Sequence, residues 1–445
     1  MPKLTPRLFW LGYLLALLTL LGLMSVQINS DWHLLHEDNG MHYSIFAYSH
    51  LMEGPAATGF HNAYRDPATG AIVQRYLNHP PLLGLSLAGA FALVGSGDFW
   101  VARSLAILYH MVVFFSASWL AWRLFDRRPS APLLAAWLFV LMPMSFYFGK
   151  VVVYPPITLC FVSLGLICHM LALERLLGDR PAWGWLAASL PAWLLAVNAG
   201  WVAHFFLFTL GMQALYLAWH HPPQRWRLLG VFVLMGVVSV GGLAQTLVHI
   251  ALVGGDGFLS GLQTGLEHKL GGRRLSREGW LYLVNGPGNI LDFYRRYFAF
   301  GPALLSLYWI YAALRRHWRN PSHREIWILT LLLPGLLYAI AANEGVTQHA
   351  YYLYYLLPFT VLATVDLIYR IRDWLAAQPR GRRRTVWTTV AVLTIMASIA
   401  QAGDLLVARH SGDWSYTVRR VAHLRSTFLV PAEQRVEPAW KTQHD

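Results

Sequence analysis

Residues 79–97 read HPPLLGLSLAGAFALVGSG, and the fold turns on whether this run crosses a membrane. It is one of twelve apolar runs, at roughly 8–26, 80–97, 101–122, 131–148, 156–174, 182–198, 201–219, 228–252, 299–314, 325–342, 350–369 and 385–402. A spanning helix needs ~20 such residues. With the N-terminus in the cytoplasm and all twelve runs crossing, Arg123, Arg127 and Arg128 fall outside. Every later cluster is then inverted too, including Arg315, Arg316, Arg319 and Arg324, and the run Arg380, Arg382, Arg383, Arg384. That pattern contradicts the excess of Lys and Arg that marks short cytoplasmic loops. Run 80–97 opens on two prolines, is short, and contains Gly84, Gly89, Gly95 and Gly97. Read as an interfacial or re-entrant segment, it returns all those clusters to the cytoplasm, with Arg175/Arg180 and Arg225/Arg227. The sequence thus predicts an all-α integral membrane protein with about eleven transmembrane helices, plus interfacial helices in the first extracytoplasmic loop.

Composition agrees. The 445 residues are 56% hydrophobic and 13% charged, where soluble domains carry about 25% charged residues. The net charge of +13 sits in short clusters between apolar runs, as membrane anchors do, and does not point to nucleic acid. The first run follows Lys3 and Arg7, is too long for a signal-peptide core and lacks a small-residue cleavage site, so it reads as a retained helix. Cys160 and Cys168 stand eight residues apart on one helix, too far for a disulfide. The threading gives a transmembrane module over 1–402, with the first loop 27–100 and a long loop 254–298 outside, and an extracytoplasmic tail over 403–445.

The unusual polar residues gather on the outward face. Asp31, His33, His36, Glu37, Asp38 and His42 fall close together in the first loop. Carboxylates held near a membrane surface serve as general bases, because partial burial raises their pKa; the plainer reading is a solvated loop at a helix end. Histidines and acids are also metal-ligand types, but His33-x-x-His36 with Glu37 and Asp38 is not a zinc spacing, so no metal or other cofactor is assigned. Pro80-Pro81 holds His79 at headgroup depth, suited to a lipid phosphate, or simply starts a helix. Arg103 and Lys150 lie at outer ends of spans, either as phosphate partners or as snorkelling anchors. Loop 254–298 holds Glu267, His268, Lys269, Arg273, Arg274, Arg277 and Glu278, a set for a phosphate-bearing lipid or acidic glycan, or a translocated loop without topological weight. In it, Gly286-Pro287-Gly288 predicts a turn before an interfacial helix over 290–298. His349-Ala350-Tyr351-Tyr352, continuing to Tyr354 and Tyr355, fits an aromatic belt or a wall for sugar stacking.

An acid in the first outer loop, a His-Pro-Pro-Leu segment, an arginine opening the next span and a late His-x-Tyr-Tyr occur here in one order. That order resembles the polytopic GT-C glycosyltransferases, nearest the aminoarabinose-transferase and protein O-mannosyltransferase branch, from residue 8 to about residue 402. The resemblance implies transfer of a sugar from a polyprenyl-phosphate carrier to a lipid, glycan or protein acceptor at the outer face of a bacterial plasma membrane. It implies a general base at Glu37 or Asp38, with Asn39 beside them. It also implies carrier-side positions at His79, Arg103, His349 and Tyr352; Lys150 joins them as a cation near the phosphate. The family's second acid, at the outer end of the fourth span, is absent from Lys150-Val151-Val152-Val153-Tyr154-Pro155-Pro156. Glu344 or an acid of loop 254–298 replaces it, or the chain works with one acid, or it is inactive. The competing readings are a lipid-linked-sugar flippase or other transporter, and a non-catalytic membrane scaffold.

Overall fold

The computed structural model describes residues 5–34, 36–77, 79–254, 277–317, 321–342, 349–377, 381–411 and 415–429. The chain is a polytopic, almost wholly helical membrane protein. Helix α1 (Pro6–Ser25) starts where Thr5 Oγ1 accepts the Leu8 N–H at 3.3 Å, with proline in the first turn, where its missing N–H costs nothing. The first loop then forms α2 (Asp38–Glu53), a two-stranded antiparallel ribbon of β1 (Ala63–Arg65) and β2 (Ile72–Arg75), and α3 (Leu82–Val94). Next come α4 (Phe99–Leu124), α5 (Ser130–Leu141), the single turn α6 (Pro143–Phe146), α7 (Tyr154–Leu177), α8 (Trp183–Ala199), α9 (Val202–His220) and α10 (Arg225–Gly254). After the loop come α11 (Arg277–Tyr297), α12 (Phe300–His317), α13 (His323–Ala341), a 3-10 segment (Ala350–Leu356) running into α14 (Leu357–Ala377), α15 (Arg382–Ser411) and α16 (Ser415–Phe428). Helix α11 runs on through Gly286-Pro287-Gly288, where the sequence suggests a turn; prolines inside membrane-protein helices are tolerated when neighbouring groups compensate the lost bond.

Among the described residues, eight helices are long and apolar enough to cross a bilayer. Helix α3 is not one of them. Its 13 residues cover about 20 Å at 1.5 Å per residue, short of the ~30 Å hydrocarbon core. Contacts around it show the same thing independently. Arg103, one turn into α4, donates to the carbonyls of Ile28 (2.9 Å) and Ser30 (2.5 Å), just past α1. The chain therefore leaves α1 and enters α4 at one end of the bundle, and run 80–97 carries it nowhere. We call this end the loop face.

The basic clusters meet at the other end. Arg123 at the end of α4 pairs with Glu174 at the end of α7. Arg227 at the start of α10 reaches Asp179, before α8, at 2.5 Å. Arg324 in the first turn of α13 donates to Leu124 O (3.0 Å) and to Asp366 of α14 (3.1 Å). Asp366 is fully buried and also accepts from Arg370 (2.7 Å) and from Trp309 Nε1 (2.8 Å). These ties gather the ends of α4, α7, α10 and α13, which the arginine pattern alone assigned to one compartment. Large apolar side chains on α1, α10 and α15, such as Trp10, Leu252 and Met396, stay exposed on the outside of the bundle, as lipid-facing residues do.

Candidate active site

The site begins with a buried ion pair. Glu37, 1% exposed, stands just before α2. One of its carboxylate oxygens accepts the backbone N–H groups of His33 (3.1 Å) and Leu34 (3.0 Å). The other accepts from Arg103 Nη2 (3.0 Å) and Nε (3.3 Å). The remaining Arg103 N–H groups go to the carbonyls of Ile28, Ser30 and Asp31. The guanidinium also lies over the Trp32 ring at 4.5 Å. A Cβ on Gly40 would stand 2.5 Å from that ring, so the Asn39-Gly40 step of the motif is set by Trp32. Glu37 and Arg103 thus lock the root of the first loop onto α4.

Asp38 is the next residue and a different kind of carboxylate. It sits in the first turn of α2, 8% exposed, where the helix dipole favours an anion. Burial raises its pKa above the ordinary carboxylate range, against the opposing pull of Arg420 and of backbone N–H groups. Arg420 Nε lies 3.3 Å away, on α16. Tyr64 of β1 and Tyr351 of the 3-10 segment are both within electrostatic reach of Asp38.

A wall of aromatic rings stands beside it. His79 lies against Tyr154 with ring centroids 3.9 Å apart. Tyr154 touches Tyr351 (6.1 Å) and Tyr352 (5.7 Å). His349 stacks on Tyr351 at 5.1 Å, and His36 meets both, at 5.3 Å and 5.2 Å. His36 adopts a left-handed φ of 65°, and the Asn39 amide donates to its carbonyl at 3.0 Å. Lys150 is buried at the turn before α7 and donates to Val26 O at 2.6 Å. Burial pushes its ammonium down to about 8, with Glu37 opposing and Arg103 adding to that shift.

The structure therefore brings His79 into one wall with the distant His349 and Tyr352, and sets Glu37, Asp38, Asn39, Arg103 and Lys150 at the same end of the bundle. Glu344 and residues 267–274 lie outside the described residues. Among the described residues no three His, Cys, Asp or Glu side chains converge as metal ligands. A cleft of about 620 Å³ lined by Asn29, Asp98, Phe99 and Trp100 includes none of the site residues. Sequence reading missed Tyr154 and Tyr338 as parts of the wall, and Arg420. Tyr154 carries a readable mark, Pro155-Pro156 at a helix start; Tyr338, in the last turn of α13, and Arg420, in the tail, carry none.

Several solved structures share this architecture. The Archaeoglobus fulgidus oligosaccharyltransferase tethered to an acceptor peptide superposes with a TM-score of 0.57 at 13% identity, over 91% of this chain and 56% of that one. AglB from the same organism, in complex with an inhibitory peptide and a dolichol-phosphate, gives 0.55 at 15% identity, over 89% and 56%. ArnT from Cupriavidus metallidurans, bound to undecaprenyl phosphate, gives 0.53 at 15% identity, over 94% and 76%. The chain spans little more than half the length of the archaeal protein. No family sequence profile matches it, and no curated protein is similar to it in sequence. The likeness is one of fold: the chain shares the architecture of these oligosaccharyltransferase and ArnT structures.

Proposed function

We propose that this protein is a membrane glycosyltransferase that moves a sugar from a polyprenyl-phosphate carrier to a hydroxyl-bearing lipid, glycan or protein acceptor. The observation that carries the reading is Asp38: a nearly buried carboxylate with a raised pKa, at the loop face of a GT-C fold, beside an aromatic wall. In this reading the loop face is extracytoplasmic, the arginine-bound end is cytoplasmic, and the membrane is the bacterial plasma membrane.

Of the two first-loop acids, geometry favours Asp38 as the base. Glu37 is engaged by four N–H donors, whereas Asp38 meets one side-chain cation on a separate helix. The acceptor hydroxyl approaches Asp38, which takes its proton. The acceptor oxygen then bonds to the anomeric carbon from the face opposite the carrier. The bond from that carbon to the phosphate oxygen breaks, and polyprenyl phosphate leaves with the electron pair; the anomeric configuration inverts. Lys150, with His79, supplies positive charge and hydrogen-bond capacity toward the leaving phosphate. Arg103 acts through Glu37, holding the loop that presents Asp38. His349, Tyr351, Tyr352 and Tyr154 form the surface on which the sugar lies, and Asn39 fixes His36 against it. Purified protein given polyprenyl-phosphate sugar labelled in the sugar, with lipid and peptide acceptors, tests this. Labelled acceptor with release of polyprenyl phosphate supports it. Movement of intact donor between leaflets without release replaces it with the transporter reading.

A further inference from the structure

The tail of the chain folds back over the first loop. Thr417, Val421 and Leu424 are the buried residues of α16, spaced on one face, and that face rests on α2. Phe428 packs on Tyr64 with ring centroids 4.6 Å apart, and Arg425 pairs with both carboxylate oxygens of Asp31 at 2.7 and 2.9 Å. Between these anchors stands Arg420. Its Nε faces Asp38 at 3.3 Å, its Nη1 donates to Tyr416 Oη at 3.1 Å, and its Nη2 to His42 Nε2 at 3.1 Å. His42, neutral above about pH 3 because burial and Arg420 both disfavour its charge, accepts on Nε2 and so donates from Nδ1 to the Tyr64 hydroxyl. Arg420 is thus itself oriented by three groups, two of them within one helical turn of Asp38 or on it.

We propose that Arg420 is a positioning residue of the site: docked from the far end of the chain, its guanidinium fixes the Asp38 carboxylate and keeps it charged, so the base is competent only when α16 lies on the first loop. The inference rests on the reading of Asp38 as the base. The groups facing Asp38 are few. His42 is on its own helix, Arg420 on α16, Tyr64 on β1 and Tyr351 on the 3-10 segment, while α3, packed on the same helix, carries no titratable side chain. Arg420 is the one full positive charge among them.

The experiment uses the full chain in lipid nanodiscs and two readouts. Dicyclohexylcarbodiimide adds to protonated carboxyl groups, so mass-spectrometric labelling of Asp38 against pH reports its protonation without any turnover. The pH profile of kcat/KM for sugar transfer reports its competence. An opposite charge at this distance lowers a carboxyl pKa by about 1–3 units, and half-exposed Arg420 belongs at the low end. Arg420→Gln therefore moves both the labelling midpoint and the acid limb of kcat/KM upward by about one pH unit. Arg420→Lys restores most of the shift. Arg425→Gln removes the Asp31 pair but leaves the buried face of α16 and the Phe428–Tyr64 contact holding the helix in place, so it moves neither. An unshifted labelling midpoint in Arg420→Gln, or an equal shift in Arg425→Gln, overturns the proposal. Transfer that survives Asp38→Asn instead removes the base assignment, while the labelling data still decide whether Arg420 governs the charge of Asp38.

Discussion

The Glu37–Arg103 pair gives a magnitude that tests how deeply this carboxylate is locked into the protein. Both side chains are sealed, at 1% and 0% exposure, so solvent screening does not reduce their coupling. Glu37→Gln removes the negative charge and leaves a fully buried guanidinium facing an amide; removing one partner of a buried pair costs about 3–5 kcal/mol. Arg103→Met leaves the carboxylate with only the His33 and Leu34 N–H groups and strips donors from the carbonyls of Ile28, Ser30 and Asp31. Each orphaned acceptor adds about 1–3 kcal/mol where water cannot replace the donor. The double variant loses no further charge pairing, so a double-mutant cycle returns a coupling of about 3 kcal/mol. Chemical unfolding in detergent micelles, followed by tryptophan fluorescence, measures it. A coupling below about 0.5 kcal/mol, the level of a solvent-exposed pair, refutes the placement of this knot in the protein interior.

Three other outcomes follow. Gly40→Ala costs about 1–3 kcal/mol in the same unfolding assay, because the added methyl meets Trp32 at 2.5 Å and that ring is pinned beneath Arg103. At the opposite end, Asp366→Asn costs about 3 kcal/mol, since a fully buried acid loses charge-assisted bonds to Arg324, Arg370 and Trp309, whereas Glu174→Gln, in a pair 21% and 27% exposed, costs less than about 1 kcal/mol. Burial holds His50 and His61 down at about 4 from an ordinary 6.5, so the unfolded chain takes up protons that the folded chain refuses; stability is level above pH 6.5 and falls as pH drops from 6.5 toward 4, as pH-dependent unfolding will show.

Much of the architecture is written in how arginines alternate with apolar runs. Arg123 and Arg324 mark one end of the bundle because charge cannot be left in the bilayer, and their pairing with Glu174 and Asp366 shows them doing so together. His79 and the His349–Tyr352 stretch are legible for a similar reason: polar residues abutting apolar runs mark the interface. The ribbon of β1 and β2 also carries local marks, Asp66-Pro67 and Gly70 at φ 75°, but it is too short to register in any reading keyed to spans of about twenty residues. The turn expected at Gly286-Pro287-Gly288 fails because local propensity is overridden in α11. The different surroundings of Glu37 and Asp38 are illegible in principle. Adjacent acids look alike in sequence, and what separates them is Arg103, 66 residues on, and Arg420, nearly four hundred residues on.

The most direct test of Asp38 as the base is transfer of labelled sugar by purified Asp38→Asn, compared with wild type at equal amounts of folded protein. A general base in this position predicts a fall of about 10²–10⁴ in kcat with donor binding retained. Transfer at the wild-type rate contradicts it.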